Sequence, residues 1–231
     1  MGRMSAFLVI IPAYNEEQTI EEVVTRAKKY ADICVVDDCS TDSTPQILSR
    51  ENGIYVITHE RNTHIPGAVL DGMKYALEKG YSYAVTMDAG LSHDPDEIPL
   101  FIHHEHADLL IGSRKKRINT PLYRKLLSLS GNFLYNVSLD FPRSIFNKTY
   151  FKDITSGFRR YSWKAMDLLL SEKMRSNSFD FLLEGVIHLY KNNMTISEVP
   201  ITYKFSNSSL SSTVVKDCLY MCARSIFKHK L

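Results

Sequence analysis

Short apolar segments alternate with amphipathic segments through the first half of the chain, and no other feature constrains the fold as much. The apolar segments are predicted strands at residues 6–11, 33–36, 54–57, 84–87 and 109–111. The segments between them place apolar residues at helical spacing, as Ile20, Val23 and Val24 do after the first strand. Strands linked through helices by short connections form a parallel sheet with helices on both faces. The sequence therefore predicts an α/β fold, a Rossmann-like and mostly parallel sheet flanked by helices.

The composition fits a single domain and excludes several classes of protein. The 231 residues are 44% hydrophobic, which is enough for one well-buried core. A net charge of +2 argues against a polyanion binder, so we expect no nucleic-acid partner. No apolar run approaches the ~20 residues of a membrane-spanning helix, and no signal peptide is expected. The four cysteines fit neither a disulfide framework nor a zinc site, which favours a cytoplasmic setting.

Two common nucleotide-binding motifs are absent from the sequence. No Gly-x-Gly-x-x-Gly follows the first strand, which disfavours a nicotinamide or flavin enzyme. No phosphate loop ending in Gly-Lys-Ser/Thr occurs either, which argues against a P-loop ATPase. The main functional signal is therefore the set of polar residues at the strand ends.

Polar residues follow four of the predicted strands, at the point where each strand ends. They are Tyr14, Asn15 and Glu16 after the first strand, Asp37 and Asp38 after the second, Asp88 after the fourth and Arg114 after the fifth. Ligands of open α/β sheets bind outside the carboxyl ends of the strands, so we expect these side chains at one edge. Taken singly, each of these residues can be an ordinary loop residue with no role in binding. Together, carboxylates for sugar hydroxyls or Mg²⁺ and an arginine for phosphate suit a nucleoside diphosphate.

Several segments of the chain resemble family 2 glycosyltransferases, which have the GT-A fold. They are residues 9–17, 35–42 and 87–93, with further similarity at 111–114, 124–128, 131–132, 153–159 and 198–201. Within that family, the closer resemblance is to dolichol-phosphate mannose synthases and their bacterial polyprenyl-phosphate relatives. The resemblance implies one GT-A domain over residues 1–231. It also implies transfer of a sugar from a nucleotide-diphosphate sugar, UDP- or GDP-linked, to a polyprenyl phosphate.

The resemblance also implies roles for individual residues. The implied nucleotide-binding residues are Pro12, Ala13, Tyr14, Glu16, Asp37, Asp38, Asp88 and Ala89. The implied catalytic residues are Asp88, which is also the metal ligand, Arg114, Arg124 and Asp153. The implied acceptor-binding residues are Arg124, Ser128, Ser156 and Arg159. Arg114 and Arg124 would bind the phosphates of donor and acceptor.

One position at the expected metal site departs from the family pattern. The family has Asp-x-Asp where this chain has Asp88-Ala89-Gly90, so the second carboxylate is missing. Mg²⁺ can be held by one or two carboxylates together with phosphates and waters. We therefore expect a divalent cation, Mg²⁺ or Mn²⁺, that is weakly held. A Gly90→Asp variant should bind that cation more tightly.

The charge of the acceptor decides whether a general base is needed. A lipid phosphate has a second pKa near ~6 and is largely ionised at neutral pH, so it is already a competent nucleophile. The expected reaction is one inverting displacement at the anomeric carbon, without a covalent enzyme intermediate. One alternative is a family 2 transferase that acts on a sugar hydroxyl in cell-envelope polysaccharide assembly, with Asp153 as base. Another is a catalytically silent homologue, which Gly90 motivates.

Two segments are expected to face the acceptor and a membrane surface. Residues 113–152 contain the basic run Arg114–Arg117 and an amphipathic stretch at 122–135, which either packs on the core or lies on a membrane. Residues 205–231 form a basic tail. The expected location is cytoplasmic and peripheral, at the cytoplasmic face of a membrane, where an integral-membrane partner can bind.

Overall fold

A computed structural model describes residues 6–121, 131–133, 135–136, 151–176, 178 and 180–205. The strands in these ranges are β1 (Phe7–Ala13), β2 (Asp32–Asp37), β3 (Tyr55–Thr58), β4 (Tyr83–Thr86), β5 (Leu109–Ile118), β6 (Arg159–Ser162) and β7 (Ile196–Lys204). The helices are α1 (Ile20–Ala27), α2 (Thr44–Arg50), α3 (His64–Glu78), α4 (Ile98–Ile102), α5 (Trp163–Ser171) and α6 (Asp180–Lys191). A 3₁₀ turn at Pro95–Glu97 precedes α4.

Within the described ranges, seven strands form a mixed sheet in the order β3-β2-β1-β4-β6-β5-β7. β6 runs antiparallel to its neighbours β4 and β5, and the remaining neighbours are parallel to each other. The prediction of a mostly parallel sheet flanked by helices is confirmed. Because β1, β2 and β4 are parallel neighbours, their carboxyl ends lie at one edge and the loops that follow them meet there.

The sheet is buried on both faces, which explains its continuous apolar strands. Along β1, Leu8 and Ile10 belong to one layer of the core, while Val9 and Ile11 belong to the other. Successive residues of a strand point to opposite faces, so a strand that is covered on both sides needs apolar residues throughout. Burial of each such side chain stabilises the fold by ~1.5–3 kcal/mol, so the packed core holds the ends of the strands in place.

β5 extends further than the sequence predicts. The predicted fifth strand ends at Ile111, but β5 continues to Ile118 because it pairs in parallel with β7. β7 in turn runs through Pro200. β7 is an edge strand, and an edge strand tolerates proline because one side of its ladder has no partner strand. Arg114 consequently lies within a strand rather than in the loop after it.

The part of the chain that the structure describes contains no helix with both the length and the apolar character of a membrane span. The predicted amphipathic stretch at residues 122–135 and the basic tail at residues 205–231 lie largely outside the described residues.

Candidate functional site

The loops after β1 and β2 are tied to each other by hydrogen bonds. Asn15 donates its N–H to Ser40 Oγ at 3.0 Å, and its Oδ1 accepts the N–H of Thr41 at 2.8 Å. The N–H of Asp38 donates to the carbonyl of Ala13 at 2.9 Å, which aligns the two strand ends. Asn15 adopts a left-handed conformation with a φ of 56°, which asparagine tolerates better than most residues. These bonds give the two loops a fixed shape at the edge of the sheet.

The predicted nucleotide-binding residues at these strand ends differ in exposure. Asp37 is 1% exposed, and its Oδ1 accepts the N–H of Ser40 at 3.1 Å. Ala13 and Ala89 are buried, whereas Tyr14 is 49% exposed. An exposed aromatic ring near carboxylates can stack on a base, while the carboxylates accept hydrogen bonds from sugar hydroxyls and base N–H groups.

Asp38 holds the start of α3 against the sheet. Its Oδ1 accepts hydrogen bonds from Thr63 N at 2.7 Å and Thr63 Oγ1 at 2.8 Å, and it lies 2.7 Å from His59 Nδ1. His59 Nε2 lies 3.2 Å from an oxygen of Asp71, so the imidazole bridges two carboxylates. Burial opposes ionisation of Asp38, but the hydrogen bonds from Thr63 and His59 outweigh it and lower the pKa of its carboxyl. The oxygen with these contacts therefore positions the loop at the start of α3.

Asp88 follows β4 and rests on a buried histidine. The Asp88 side chain is 51% exposed, whereas His93 is 2% exposed and places its Nδ1 3.3 Å from Asp88 Oδ2. The imidazole packs against the rings of Phe158 and Tyr203, at centroid distances of 5.3 and 5.7 Å. Burial lowers the pKa of His93, although the Asp88 carboxylate acts in the opposite direction. A neutral imidazole can therefore orient the carboxylate without cancelling its charge.

The loop before β6 approaches Asp88 at Gly157. A Cβ at Gly157 would lie 3.1 Å from Asp88 Oδ1, which is tighter than most Cβ contacts in proteins. Thr86 Oγ1 donates to the carbonyl of Gly157 at 2.9 Å, which ties this loop to the end of β4. Glycine at this position therefore lets the second half of the chain close against the Asp88 carboxylate.

Gly90 opens onto the Glu16 carboxylate. A Cβ built at residue 90 would have the two Glu16 oxygens at 3.9 and 4.0 Å as its nearest contacts. Glu16 Oε2 accepts a hydrogen bond from Thr19 Oγ1 at 2.8 Å. Burial raises the pKa of Glu16; the Thr19 hydrogen bond opposes this, and the Asp88 and Asp42 carboxylates raise it further. Glu16 and Asp88 are thus two carboxylates that repel each other across the position where the family has its second Asp.

Arg114 and Asp153 form a buried, bidentate ion pair. Arg114 Nε and Nη2 donate to the two Asp153 oxygens at 2.6 Å each, and the Arg114 N–H donates to Oδ2 at 3.0 Å. The guanidinium also contacts Thr155 Oγ1 and lies 5.2 Å from the centroid of the Tyr203 ring. Burial opposes ionisation of Asp153, but Arg114 outweighs it and lowers the pKa of that carboxyl. A carboxylate with both oxygens bound and a lowered pKa is poorly suited to act as a general base.

Glu198 supports the backbone next to the same pair. Its Oε1 accepts the N–H groups of Lys152 and Asp153 at 2.8 and 2.9 Å, which fixes the backbone that presents Asp153. Glu198 lies on β7, opposite Ile111 of β5. The pairing of β5 with β7 therefore places Glu198 beside the backbone of Asp153, the partner of Arg114.

The remaining predicted acceptor residues lie deeper or outside the described residues. Arg159 is fully buried and donates to the carbonyls of Ser156 and Leu182 at 2.7 and 2.9 Å, and to that of Ile154. Ser156 is also fully buried, and its Oγ has no hydrogen-bond partner among the described residues. Arg159 thus shapes the loop from within, and direct contact of either residue with an acceptor stays a prediction. Arg124 and Ser128 lie outside the described residues.

Sequence reasoning missed His93, His59, Thr63 and Tyr203 as parts of the site. His93 had a weak signal, since it closes the segment at residues 87–93 that resembles the glycosyltransferase family. The other three come from distant segments, and only the folded chain places them against Asp38 or Arg114.

Comparison with known proteins identifies the family to which the chain belongs. The sequence profile of the family described as Glycosyl transferase family 2 matches residues 8–165. The UDP-N-acetylglucosamine–dolichyl-phosphate N-acetylglucosaminyltransferase of Methanococcus voltae is 32% identical over 88% of this chain and 87% of its own length. The undecaprenyl-phosphate mannosyltransferase of Micrococcus luteus is 29% identical over 94% of this chain and 92% of its own.

The fold has a solved counterpart in glucosyl-3-phosphoglycerate synthase of Mycobacterium tuberculosis, crystallised with Mn²⁺, uridine diphosphate and glucosyl-3-phosphoglycerate. The superposition has a TM-score of 0.69 at 17% identity and covers 99% of this chain and 82% of that one. At that identity the similarity concerns the fold. Because the family profile spans well over half of the chain, this protein belongs to glycosyl transferase family 2, and its sheet is the GT-A fold of a glycosyltransferase.

Proposed function

We propose that this protein is an inverting glycosyltransferase that moves a sugar from a nucleotide-diphosphate sugar to a polyprenyl phosphate. The observation that supports this most is the meeting of Asp37, Glu16 and Asp88 at the carboxyl ends of β2, β1 and β4. Two relatives that match along nearly their whole length are named as transferring sugars to dolichyl phosphate and undecaprenyl phosphate. The proposal extends the chemistry of those names to this chain.

The donor is bound by the loops after β1, β2 and β4 in this proposal. Tyr14 stacks on the base, and Asp37 and Asp38 accept hydrogen bonds from the nucleoside. The backbone at Pro12–Ala13 and at Ala89 lines the cleft between them. UDP and GDP both fit this set, because carboxylate acceptors serve the ribose of either nucleotide.

A divalent cation fits beside Asp88. The side chain that would bind it is the half-exposed Asp88 carboxylate, which an imidazole orients. Carboxylate oxygens are hard ligands of the kind that Mg²⁺ and Mn²⁺ prefer. Within the described ranges, no group of three or more His, Cys, Asp or Glu side chains converges as a complete metal site. Mg²⁺ commonly takes one or two carboxylates together with substrate phosphates and waters. When bound, the cation supplies positive charge against the diphosphate oxygens, and with glycine at residue 90 its affinity is modest unless another carboxylate completes the site.

The acceptor phosphate attacks the anomeric carbon directly, and the sugar leaves its diphosphate with inversion. An ionised phosphate needs no general base, which agrees with an Asp153 whose oxygens are both held by Arg114. The protein therefore contributes alignment and charge: Asp88 acts on the donor side, and Arg124, Ser128, Ser156 and Arg159 act toward the acceptor, where Arg114, neutralised by Asp153, holds the shape of the site. Transfer to a sugar hydroxyl would need a free base, and the bound state of Asp153 disfavours that reaction.

The acceptor is a lipid, so we propose that the protein works as one domain, residues 1–231, at the cytoplasmic face of a membrane. Residues 113–152 and 205–231 are the proposed membrane-facing segments. Of the basic run at 114–117, the exposed Lys115 and Lys116 suit contact with anionic headgroups, with the option of an integral-membrane partner.

Transfer of label from a nucleotide sugar to lipid tests this function. Purified protein is incubated with membranes and with labelled UDP- or GDP-sugars, and the products are partitioned between organic solvent and water. We expect label in the organic phase with one of the two nucleotides, and far less of it with the Asp88→Asn variant. Label that is transferred but stays in the aqueous phase would point to a hydroxyl acceptor. No transfer, combined with no nucleotide-dependent thermal shift in Mn²⁺, would point to the silent homologue.

A further inference from the structure

A second carboxylate faces the place that Gly90 leaves open. The Glu16 oxygens lie 3.9 and 4.0 Å from the Cβ position of residue 90, and no other side chain of the described residues lies within 4 Å of that position. A carboxylate at residue 90 would therefore project into the space where the Glu16 carboxylate already lies. Glu16 belongs to the loop after β1, which is the neighbour of β4, so it enters this space from the other side.

Glu16 has a fixed backbone, and both oxygens of its carboxylate face this space. The Glu16 N–H donates to Thr44 Oγ1 at 2.9 Å, and its carbonyl accepts the N–H groups of Thr19 and Ile20 at 3.0 and 2.9 Å. Thr19 Oγ1 donates to Oε2 at 2.8 Å, and Oε2 and Oε1 lie 3.9 and 4.0 Å from the Cβ position of residue 90. The side chain is thus positioned in advance rather than free to swing.

An independent observation on the Asp88 side points to a ligand at the same place. His93 is 2% exposed, yet its Nδ1 has no hydrogen-bond partner among the described residues and is aimed at Asp88 Oδ2 from 3.3 Å. Buried polar atoms are rarely left without a partner. Residues that ligate metals are typically held by such neighbours, which orient the carboxylate toward the cation. His93 fits that role for Asp88.

We propose that Glu16 supplies the carboxylate that Gly90 lacks, so that Asp88 and Glu16 together hold the divalent cation and its diphosphate. This inference rests on the proposed function, because it concerns the cation of a nucleotide-sugar enzyme. Two carboxylates with substrate phosphates and waters make a common site for Mg²⁺ or Mn²⁺. Glu16 then acts on the metal rather than on the nucleoside, which refines the role that the family resemblance implies for it.

A set of four variants tests this with Mn²⁺ as the probe. They are Glu16→Gln, Gly90→Asp, the double variant Glu16→Gln with Gly90→Asp, and Glu21→Gln as the matched control. Glu21 is an exposed carboxylate in the first turn of α1, so its substitution makes the same change of charge away from the site. Electron paramagnetic resonance of free Mn²⁺ gives the affinity with saturating UDP or GDP. Isothermal titration in EDTA gives the affinity of the nucleotide without metal.

We expect Glu16→Gln to weaken Mn²⁺ binding about tenfold or more, and Glu21→Gln to leave it unchanged. Gly90→Asp in the Glu16→Gln background should restore the affinity to within about threefold of the wild type, because residue 90 reaches the same space. Nucleotide affinity in EDTA should be the same in the wild type and Glu16→Gln. Restored affinity in the double variant also shows that the Glu16→Gln substitution leaves the protein folded.

Three results have distinct meanings. Equal Mn²⁺ affinity in the wild type and Glu16→Gln would overturn the inference and leave the proposed function intact. Glu16→Gln could instead lower the affinity for nucleotide in EDTA with no further loss of affinity when Mn²⁺ is present. That result would place Glu16 on the nucleoside and would also overturn the inference. Failure of the wild type to bind either nucleotide in Mn²⁺ would instead overturn the proposed function.

Discussion

The two halves of the site differ in whether their charged side chains are paired with an opposite charge. One half, the proposed donor half, is built on β1, β2 and β4; there Asp88 is half exposed and faces a second carboxylate, that of Glu16. In the other, the proposed acceptor half built on β5, β6 and β7, Arg114 and Asp153 neutralise each other in a buried, bidentate pair. The donor half therefore has negative charge that a ligand can compensate, whereas the acceptor half is already compensated. The first arrangement favours binding of a cation with a diphosphate, and the second favours a fixed shape.

The largest effect that separates the halves is expected at Asp88. Asp88→Asn removes the negative charge from the proposed cation site, and sugar transfer should fall by about 10²–10³-fold, the usual loss for one such electrostatic group. Because the side chain is half exposed, the free energy of unfolding should change by less than ~1 kcal/mol. Transfer rates and urea unfolding measure the two quantities, with the exposed Asp167→Asn on α5 as control. Unchanged transfer would show that Asp88 is not part of the chemistry.

A smaller effect, on stability rather than on sugar transfer, is expected at Asp153. Asp153→Asn leaves the Arg114 guanidinium buried without its counter-ion, which should lower the free energy of unfolding by about 3 kcal/mol. Urea unfolding of Asp153→Asn and Asp88→Asn side by side makes the comparison direct. If Asp153→Asn were as stable as the wild type but inactive, Asp153 would belong to the chemistry and the hydroxyl-acceptor reaction would regain support.

The smallest effect is expected at Asp38 and depends on pH. The folded protein lowers the pKa of Asp38, so the ionised group stabilises the fold above its ordinary pKa. That contribution is lost as the pH falls through the lowered value, which lies below about 4. Asp38→Asn should cost about 1–2 kcal/mol at pH 7, and the difference from the wild type should shrink in acid. Urea unfolding at pH 7 and in the acidic range measures this; a difference independent of pH would contradict it.

The differences between the predicted and the observed structure fall along the same two halves of the site. In the donor half, local pattern sufficed: β1, β2 and β4 lie where the apolar segments predict, and Asp37 and Asp88 lie at the ends of their strands. In the acceptor half, the lengths of β5 and β7 depend on each other, and no local signal in either segment shows the pairing.

The sequence by itself determined the class of fold and the carboxylates at the strand ends, because hydrophobic periodicity and strand-end position are local properties of the chain. The tertiary structure alone decided which charges are free and which are paired. Arg114 and Asp153 are 39 residues apart, and Gly90 and Glu16 come from different loops. Contacts of that kind follow from how strands are ordered in the sheet, and the order is set by packing of the whole core rather than by any one segment.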